Sequence, residues 1–310
     1  MKDTEFKLDE FGRRKFLKTS LITAGGLMVG SQAFPNILPG GSGSKKILKV
    51  GLVGCGGRGT GAASNILAAD PNVVLWSIGD VFQKKIDNSV RRLSKLDRVK
   101  LPKERQFVGF DAYQKVIDSG VDIVLLTTTP AFRPLHLKAA IDGGKHVFAE
   151  KPLAVDVPGV KSVLESAKKA RANGLSILTG FVWRYTERTQ QLYLKIHNGD
   201  IGDVVSVYSH YFAGRVHPLP DPKYRPLGMS DIEWKLPYWQ NFVELSGDSI
   251  VEQSIHSVDK ISWAFNDKPP LSCTANGGRQ VALPGTNIFD HFSVNYEYEG
   301  GARAFLSSRQ

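Results

Sequence analysis

ILKVGLVGCGGRGTGAA, Ile47 to Ala63, is the stretch on which the fold turns. Its first half, ILKVGLVG, is almost continuously apolar, as a strand covered on both faces should be. Gly54, Gly56 and Gly59 follow in a G-x-G-x-x-G arrangement, and Ala62, Ala63, Ile66 and Leu67 recur at helical spacing. One glycine permits a tight turn, one lets an anion approach the backbone, and one lets the helix pack close to the strand. The first turn of a helix has unpaired N–H groups, which suit a pyrophosphate. A lone glycine motif says little. Here it follows a strand, opens a helix, and has Asp80 at the end of the next strand, NVVLWSIGD. That context predicts a dinucleotide site with Gly57 and Arg58 in its loop.

Working outward, QFVGF, VDIVLLTTT, HVFAE and LSILTGF read as further strands. A helix is expected from Pro158 to Arg171, capped by Asp156 and stopped by Gly174, with Val160, Val163, Leu164 and Ala167 on its buried face. Strand and helix in alternation predict an α/β fold, a doubly wound parallel Rossmann sheet, over residues 47–182. Asp80 would bind the adenosine ribose and repel a 2′-phosphate, so NAD is preferred. Arg58 and Lys84 or Lys85 keep NADP as the alternative.

Ligands of such sheets bind beyond the carboxyl ends of the strands. Lys151 stands there, one residue past HVFAE, and Pro152 bars it from helical backbone angles. By itself this is an ordinary solvent-facing lysine. The blocks VGLVGCGGRGTGAA, TTTPAFRPLHLKAAIDGGKHVFAEKPLAVD and TGFVWRY, however, resemble the glucose–fructose oxidoreductase / inositol 2-dehydrogenase (Gfo/Idh/MocA) family from about Lys49 onward. The resemblance implies that Lys151 sits beside a nicotinamide and a reacting hydroxyl, with the Lys-Pro peptide often cis. Thr128, Pro130, His136, Glu150 and Lys151 join the glycine loop and Asp80 as expected cofactor contacts. Chemically, an ammonium at a carbinol oxygen stabilises developing alkoxide charge and can take part in proton transfer.

After Tyr185 the pattern changes to a helix, RTQQLYLKIHNGDIG, and period-two strands in DVVSVYSHYFAG, LSCTANGGRQVAL, DHFSVNYEYEG and ARAFLSS. Residues 183–310 should form an α+β domain with an open, mostly antiparallel sheet, through which a homo-oligomer is expected. In SGDSIVEQSIHSVDKISWAF, Glu252, His256 and Asp259 fall at i, i+4 and i+7, so one helix would present all three on one face. The resemblance implies His256 as a second catalytic residue, and puts Glu252 where the family has Asp, to orient His256 or bind a sugar hydroxyl. Arg184, Tyr185 and Asp259 are expected to meet the substrate. Trp183, Trp234, Tyr238 and Trp239 could stack on a sugar, although aromatics more often pack. A metal reading of Glu252, His256 and Asp259 lacks a fourth ligand cluster and is set aside. His210 and His217 could line the pocket or simply pack.

Composition sets broad limits. The 310 residues carry 40 Lys plus Arg against 30 Asp plus Glu, without a basic run, so nucleic acid is not an expected partner. Two cysteines, one inside the glycine loop, give neither a disulfide framework nor a zinc site. FGRRKFLKTSLITAGGLMVGSQAFP, with Arg13 and Arg14, resembles a twin-arginine export signal over residues 1–33, with the translocase as partner and a periplasmic or otherwise exported destination. Its apolar stretch is too short for a membrane anchor, and residues 34–46 read as a linker. The last strand ends the chain where family members continue, so a fragment or a shortened variant is expected. The resemblance implies an oxidoreductase acting on CH–OH groups of a sugar, cyclitol or glycoside. Export adds the expectation of tightly held NAD, recycled by a second substrate. A redox-neutral NAD-dependent glycosidase and a non-catalytic nucleotide-binding sensor or assembly protein are the rival readings.

Overall fold

The computed structural model describes residues 46–310, so the proposed signal and nearly all of the linker lie outside the described residues. The first strand, β1, runs Leu48–Val53, and helix α1, Gly57–Ala69, leaves it through the glycine loop. Strand β2 (Val73–Asp80), α2 (Gln83–Leu93), β3 (Gln106–Val108) and α3 (Ala112–Asp118) complete the first half. Strand β4 (Ile123–Leu126), α4 (Arg133–Asp142), β5 (His146–Ala149), α5 (Val157–Ala172) and β6 (Ile177–Thr179) make the second. All pairings are parallel and the strand order is β3-β2-β1-β4-β5-β6. The order reverses between β1 and β4, which opens a crevice at their carboxyl ends.

Alternation along the strands builds a core on each face. Val50, Leu52, Leu75 and Ile78 pack with Ala63 and Leu67 of α1 and Ile86 of α2. Val53, Val124, Leu126 and Val147 pack with Leu137 and Ile141 of α4 and Val163 of α5. Asp156 caps α5 by accepting from Gly159 N at 2.7 Å, and Gly174 follows it at φ 67°. The expected buried face of α5 needs correction. Val163, Ser166 and Ala170 are buried, whereas Val160, Leu164 and Ala167 are exposed. Small residues face inward because α5 packs closely on α4, and the Ser166 hydroxyl satisfies itself on the Ser162 carbonyl at 2.9 Å. Of the four residues expected inside, Val163 alone is buried.

The second half begins at a 3-10 turn, Val182–Tyr185, followed by α6, Glu187–His197. Strand β7 (Ser206–Phe212) precedes a run of short helices: α7 (Asp231–Lys235), α8 (Val243–Ser246), α9 (Asp248–Glu252) and α10 (Ile255–Ala264). Strands β8 (Ser272–Gly278), β9 (His291–Glu297) and β10 (Arg303–Arg309) close the described chain. The sheet order is β7-β10-β9-β8, antiparallel except for the β10–β7 pair. Ile261 of α10 packs on Val294, Ala304 and Leu306, covering one face of the sheet. Among the described residues the other face is uncovered, with Tyr208 stacked on Phe305 at 4.7 Å. No described helix is long and apolar enough to cross a membrane.

The glycine that sets the α1–β1 distance is Gly59. A Cβ there would lie 1.9 Å from the Gly54 carbonyl oxygen and 2.5 Å from the Thr127 hydroxyl. Neither obstacle can retreat, because Gly54 sits at φ 96° against the Thr127–Thr128 backbone. Gly59→Ala is therefore expected to lower stability by about 2–3 kcal/mol, read from the urea midpoint at unchanged slope.

Candidate active site

The cleft at the strand reversal has a volume of about 410 Å³. Its floor is the glycine loop. A Cβ on Gly56 or Gly57 would meet nothing within 4 Å, so the backbone there is open to a ligand. Helix α1 starts at Gly56 without a side-chain cap and without an acidic residue in its first turn. Its first N–H groups are thus left to an anion. At the other end Asp80 accepts from Cys55 N at 2.7 Å and Phe82 N at 3.0 Å, which fixes the carboxylate at the cleft edge. Burial raises the Asp80 pKa, partly offset by the amide bonds to Phe82 and Cys55. The Cys55 thiol is buried and pushed up as well, by burial first and by Asp80 second. Open glycines, free helix donors and a fixed carboxylate suit a dinucleotide, with the pyrophosphate on the loop and ribose hydroxyls on Asp80.

The far wall comes from the loop after β4. The Thr128 hydroxyl meets His136 Nδ1 at 3.1 Å, and the imidazole is stacked on Tyr113 at 4.3 Å. His136 is 6% exposed, and its pKa is lowered to about 4, by burial first and by the Arg133 charge second. Pro130 opens a 3-10 turn, Pro130–Phe132, and is itself buried. The sequence reading missed two contributors. One is the segment Leu236–Asn241, whose Leu236, Pro237 and Trp239 line the same cleft. Trp239, weighed as a sugar platform, belongs to this wall. The signal for it was a proline among aromatics, which does not say what it covers.

The second is Arg133. Its guanidinium is buried and donates from Nη1 to the Pro152 carbonyl and from Nη2 to the Thr128 carbonyl. Burial lowers its pKa to about 10, opposed by Glu150 and Glu252, so it remains a cation at neutral pH.

Glu150 and Lys151 leave β5 in opposite directions. Glu150 accepts from Arg58 Nε at 2.6 Å, tying the strand end to the glycine loop. Gly180 makes room for it, since a Cβ there would lie 2.5 Å from Glu150 Oε2. The Lys151–Pro152 peptide is cis. Lys151 Nζ donates to the Glu252 carbonyl and to Glu252 Oε1 at 3.2 Å, with both side chains largely buried. The other carboxylate oxygen faces Gln240 Nε2 at 3.3 Å. His256 lies between Phe181, edge-on at 6.3 Å, and Tyr211, stacked at 6.2 Å. Its Nδ1 is buried without a partner, and burial first, then the Lys151 charge, lowers its pKa.

The single helix expected to carry Glu252, His256 and Asp259 is broken. Helix α9 ends at Glu252 and α10 starts at Ile255, with Gln253 and Ser254 in a turn between them. Glu252 therefore turns to Lys151 rather than sharing a face with Asp259. Asp259 instead accepts from Arg184 Nε at 2.9 and 3.1 Å, while the Arg184 Nη atoms grip Asp267 at 2.9 and 2.6 Å. The Arg184 pKa is raised by its bonds to Asp267 and Asp259. Arg184 and Asp259, expected at the substrate, satisfy each other and brace the start of the second half against α10. Tyr185 is more than half exposed beside them. His210 and His217 are exposed, and Lys260 covers the Trp183 ring at 4.3 Å. The described residues hold no group of three or more side chains able to bind a metal.

A Rossmann domain with a built dinucleotide cleft, continued by an α+β domain that supplies part of the wall, defines the class. Residues 48–176 match the oxidoreductase family with an NAD-binding Rossmann fold, and residues 189–310 match the GFO/IDH/MocA C-terminal domain. The chain belongs to the GFO/IDH/MocA family. It is 25% identical over 223 residues to the myo-inositol 2-dehydrogenase of Thermotoga maritima, covering 71% of this chain and 56% of that one. The alpha-N-acetylgalactosaminidase of Shewanella oneidensis is 28% identical over 180 residues, 52% of this chain and 38% of that one. The chain thus spans about half the length, or less, of these curated relatives. Among solved structures, the WlbA dehydrogenase from Bordetella pertussis in complex with NADH and UDP-GlcNAcA superposes with a TM-score of 0.66 at 19% identity. That match covers 84% of this chain and 66% of that one and is a likeness of fold.

Two measurements test the site. Gly56 has φ −68° and open space around it, so Gly56→Ala should leave stability within about 0.5 kcal/mol. The new methyl should nonetheless weaken NAD binding at least about tenfold by calorimetry, about 1.4 kcal/mol. His136 gives a pH signature. Its folded pKa lies below the unfolded value of about 6.5, so below that pH the unfolded chain binds a proton the folded chain declines. Its contribution is full above pH ~6.5 and is lost as pH falls toward about 4, a slope that His136→Asn should reduce in urea denaturation.

Proposed function

We propose that the protein is an exported NAD-dependent oxidoreductase that oxidises or reduces a secondary hydroxyl of a sugar, cyclitol or glycoside. The observation that carries this reading is the grouping of Lys151, Glu252 and His256 beside Glu150, whose carboxylate is paired with Arg58 of the dinucleotide cleft. Relatives named as inositol dehydrogenases support the substrate class. Export rests on the twin-arginine motif at Arg13 and Arg14. The exposed sheet face around Tyr208 and Phe305 supports self-association.

The residues divide the work by charge. Gly54, Gly56, Gly57 and Gly59 with the α1 N-terminus hold the pyrophosphate, and Asp80 holds the adenosine ribose. Arg58, Thr128 and His136 shape the remaining wall, with Glu150 holding Arg58, and Pro130 buried at the turn after β4. When bound, NAD accepts the hydride that leaves the carbinol carbon. Lys151, held by Glu252, places its ammonium at the alkoxide oxygen and lowers the cost of charge developing there. His256, neutral because burial disfavours its charged form, accepts the hydroxyl proton. Glu252 keeps the amine from wandering. Its extra methylene relative to aspartate supplies the reach to Lys151.

A second reading has its own support in the relative named alpha-N-acetylgalactosaminidase. Oxidation of a ring hydroxyl acidifies the neighbouring C–H, and elimination followed by reduction would cleave a glycoside without net change in NAD. Release of the aglycone without accumulation of NADH would select it.

The direct test is turnover of the purified protein on a panel of cyclitols and glycosides, followed by nicotinamide absorbance. Lys151→Ala should cost about 10²-fold or more in kcat, with NAD affinity retained. An equal loss of NAD binding would count against the assignment. His256→Asn should remove the acid limb of kcat/KM. In wild type that limb falls below pH ~6.5, the ordinary histidine value, because the His256 pKa is displaced downward.

A further inference from the structure

Where parallel strands stop, their carbonyls leave the ladder and need other donors. Thr128, beyond β4, and Pro152, beyond β5, flank the cleft on adjacent strand ends. One side chain bridges both. Arg133, at the start of α4 and 2% exposed, donates from Nη1 to the Pro152 carbonyl and from Nη2 to the Thr128 carbonyl. The third nitrogen, Nε, is buried without a partner, so the two terminal nitrogens carry the whole contact, to these two oxygens. Thr128 lines the cofactor cleft, and Pro152 follows Lys151 directly.

We propose that Arg133 is a positioning residue, which sets Lys151 against the cleft by clamping the Pro152 and Thr128 carbonyls to one rigid cation. The proposal rests on the oxidoreductase reading for its catalytic meaning, but its geometric content stands apart. Planarity is the property that matters. A guanidinium presents two parallel donors at fixed spacing, whereas an ammonium is a single point that cannot hold two carbonyls in a set relation. The charge matters too. Glu150 and Glu252 both face Arg133 electrostatically, and these carboxylates are also the partners of Arg58 and Lys151. A displacement of the Pro152 carbonyl would carry the Lys151 backbone with it and loosen the amine from the Glu252 carbonyl and carboxylate.

The clamp differs from the other buried-backbone arginine contact in the same sheet. Arg98 donates to the carbonyls of Leu67, Asp70 and Val73, where α1 ends and β2 begins. That clamp joins a helix end to the opposite edge of the strands and touches no group of the cleft. It supplies a control for destabilisation alone.

The experiment compares Arg133→Lys, Arg133→Gln and Arg98→Met in the full chain. The first readout needs no turnover: acylation of Lys151 by a trace amine reagent, quantified by mass spectrometry against the exposed Lys46 in the same sample. Arg133→Lys and Arg133→Gln should raise Lys151 labelling about fivefold or more, as the amine loses its fixed partners, while Arg98→Met leaves the ratio unchanged. The second readout is kinetic. Arg133→Lys should lower kcat by roughly 10²-fold with KM and NAD affinity changed about threefold or less, the pattern of a misplaced reacting group. If Arg133→Gln does not fold, Arg133→Lys still decides. Wild-type Lys151 labelling in Arg133→Lys would overturn the proposal, as would equal labelling changes in Arg98→Met. Absence of turnover in wild type on every carbinol tested would sink the oxidoreductase reading, and the labelling arm would still judge the clamp.

Discussion

A parallel strand that stops leaves polar backbone groups without the neighbour that served them. At the carboxyl edge of this sheet several of those groups are answered by side chains. Asp80 takes the Cys55 amide, Arg133 takes the Thr128 and Pro152 carbonyls, and Lys151 takes the Glu252 carbonyl. Each contact satisfies a buried backbone group, whose loss would cost about 1–3 kcal/mol. The first two also fix residues that line the cleft, Asp80 and Thr128. Stability and site geometry are therefore one set of interactions, and the need to satisfy the edge is what makes the site rigid.

Charge is arranged in the same economical way. Three cations, Arg58, Arg133 and Lys151, face two carboxylates, Glu150 and Glu252. The excess positive charge has two visible effects: Arg133 disfavours protonation of His136, and Lys151 disfavours protonation of His256. In the proposed reading, an anionic cofactor and a developing alkoxide are both favoured by this imbalance. The Lys151 charge also holds the His256 pKa down. Burial and neighbouring charge act in the same direction there.

Much of this was legible before any coordinates. The doubly wound parallel sheet follows from strand and helix in alternation, and the glycine spacing with Asp80 defines the cleft because each glycine answers a local backbone requirement. Lys151 was legible through its proline and its motif. What escaped were features set by contacts distant in sequence. Arg133 reads as one more helix-start arginine until two strand ends are seen to meet around it. The Leu236–Asn241 segment reaches the cleft only through the packing of the second half on the first. Spacing placed Asp259 with Glu252 and His256, but periodicity assumes an unbroken helix, and the turn at Gln253–Ser254 breaks it. The buried face of α5 was misjudged for a related reason. Close helix packing favours Ser166 and Ala170 over larger neighbours, and hydrophobicity alone ranks them the other way.

The turn between α9 and α10 uncouples two jobs that one rod would have bound together. Glu252 is seated by Lys151, whereas Asp259 is seated by Arg184 and shared with Asp267 through the same guanidinium. A change at Asp259 therefore alters the bracing of the second half without touching the residue that seats the amine.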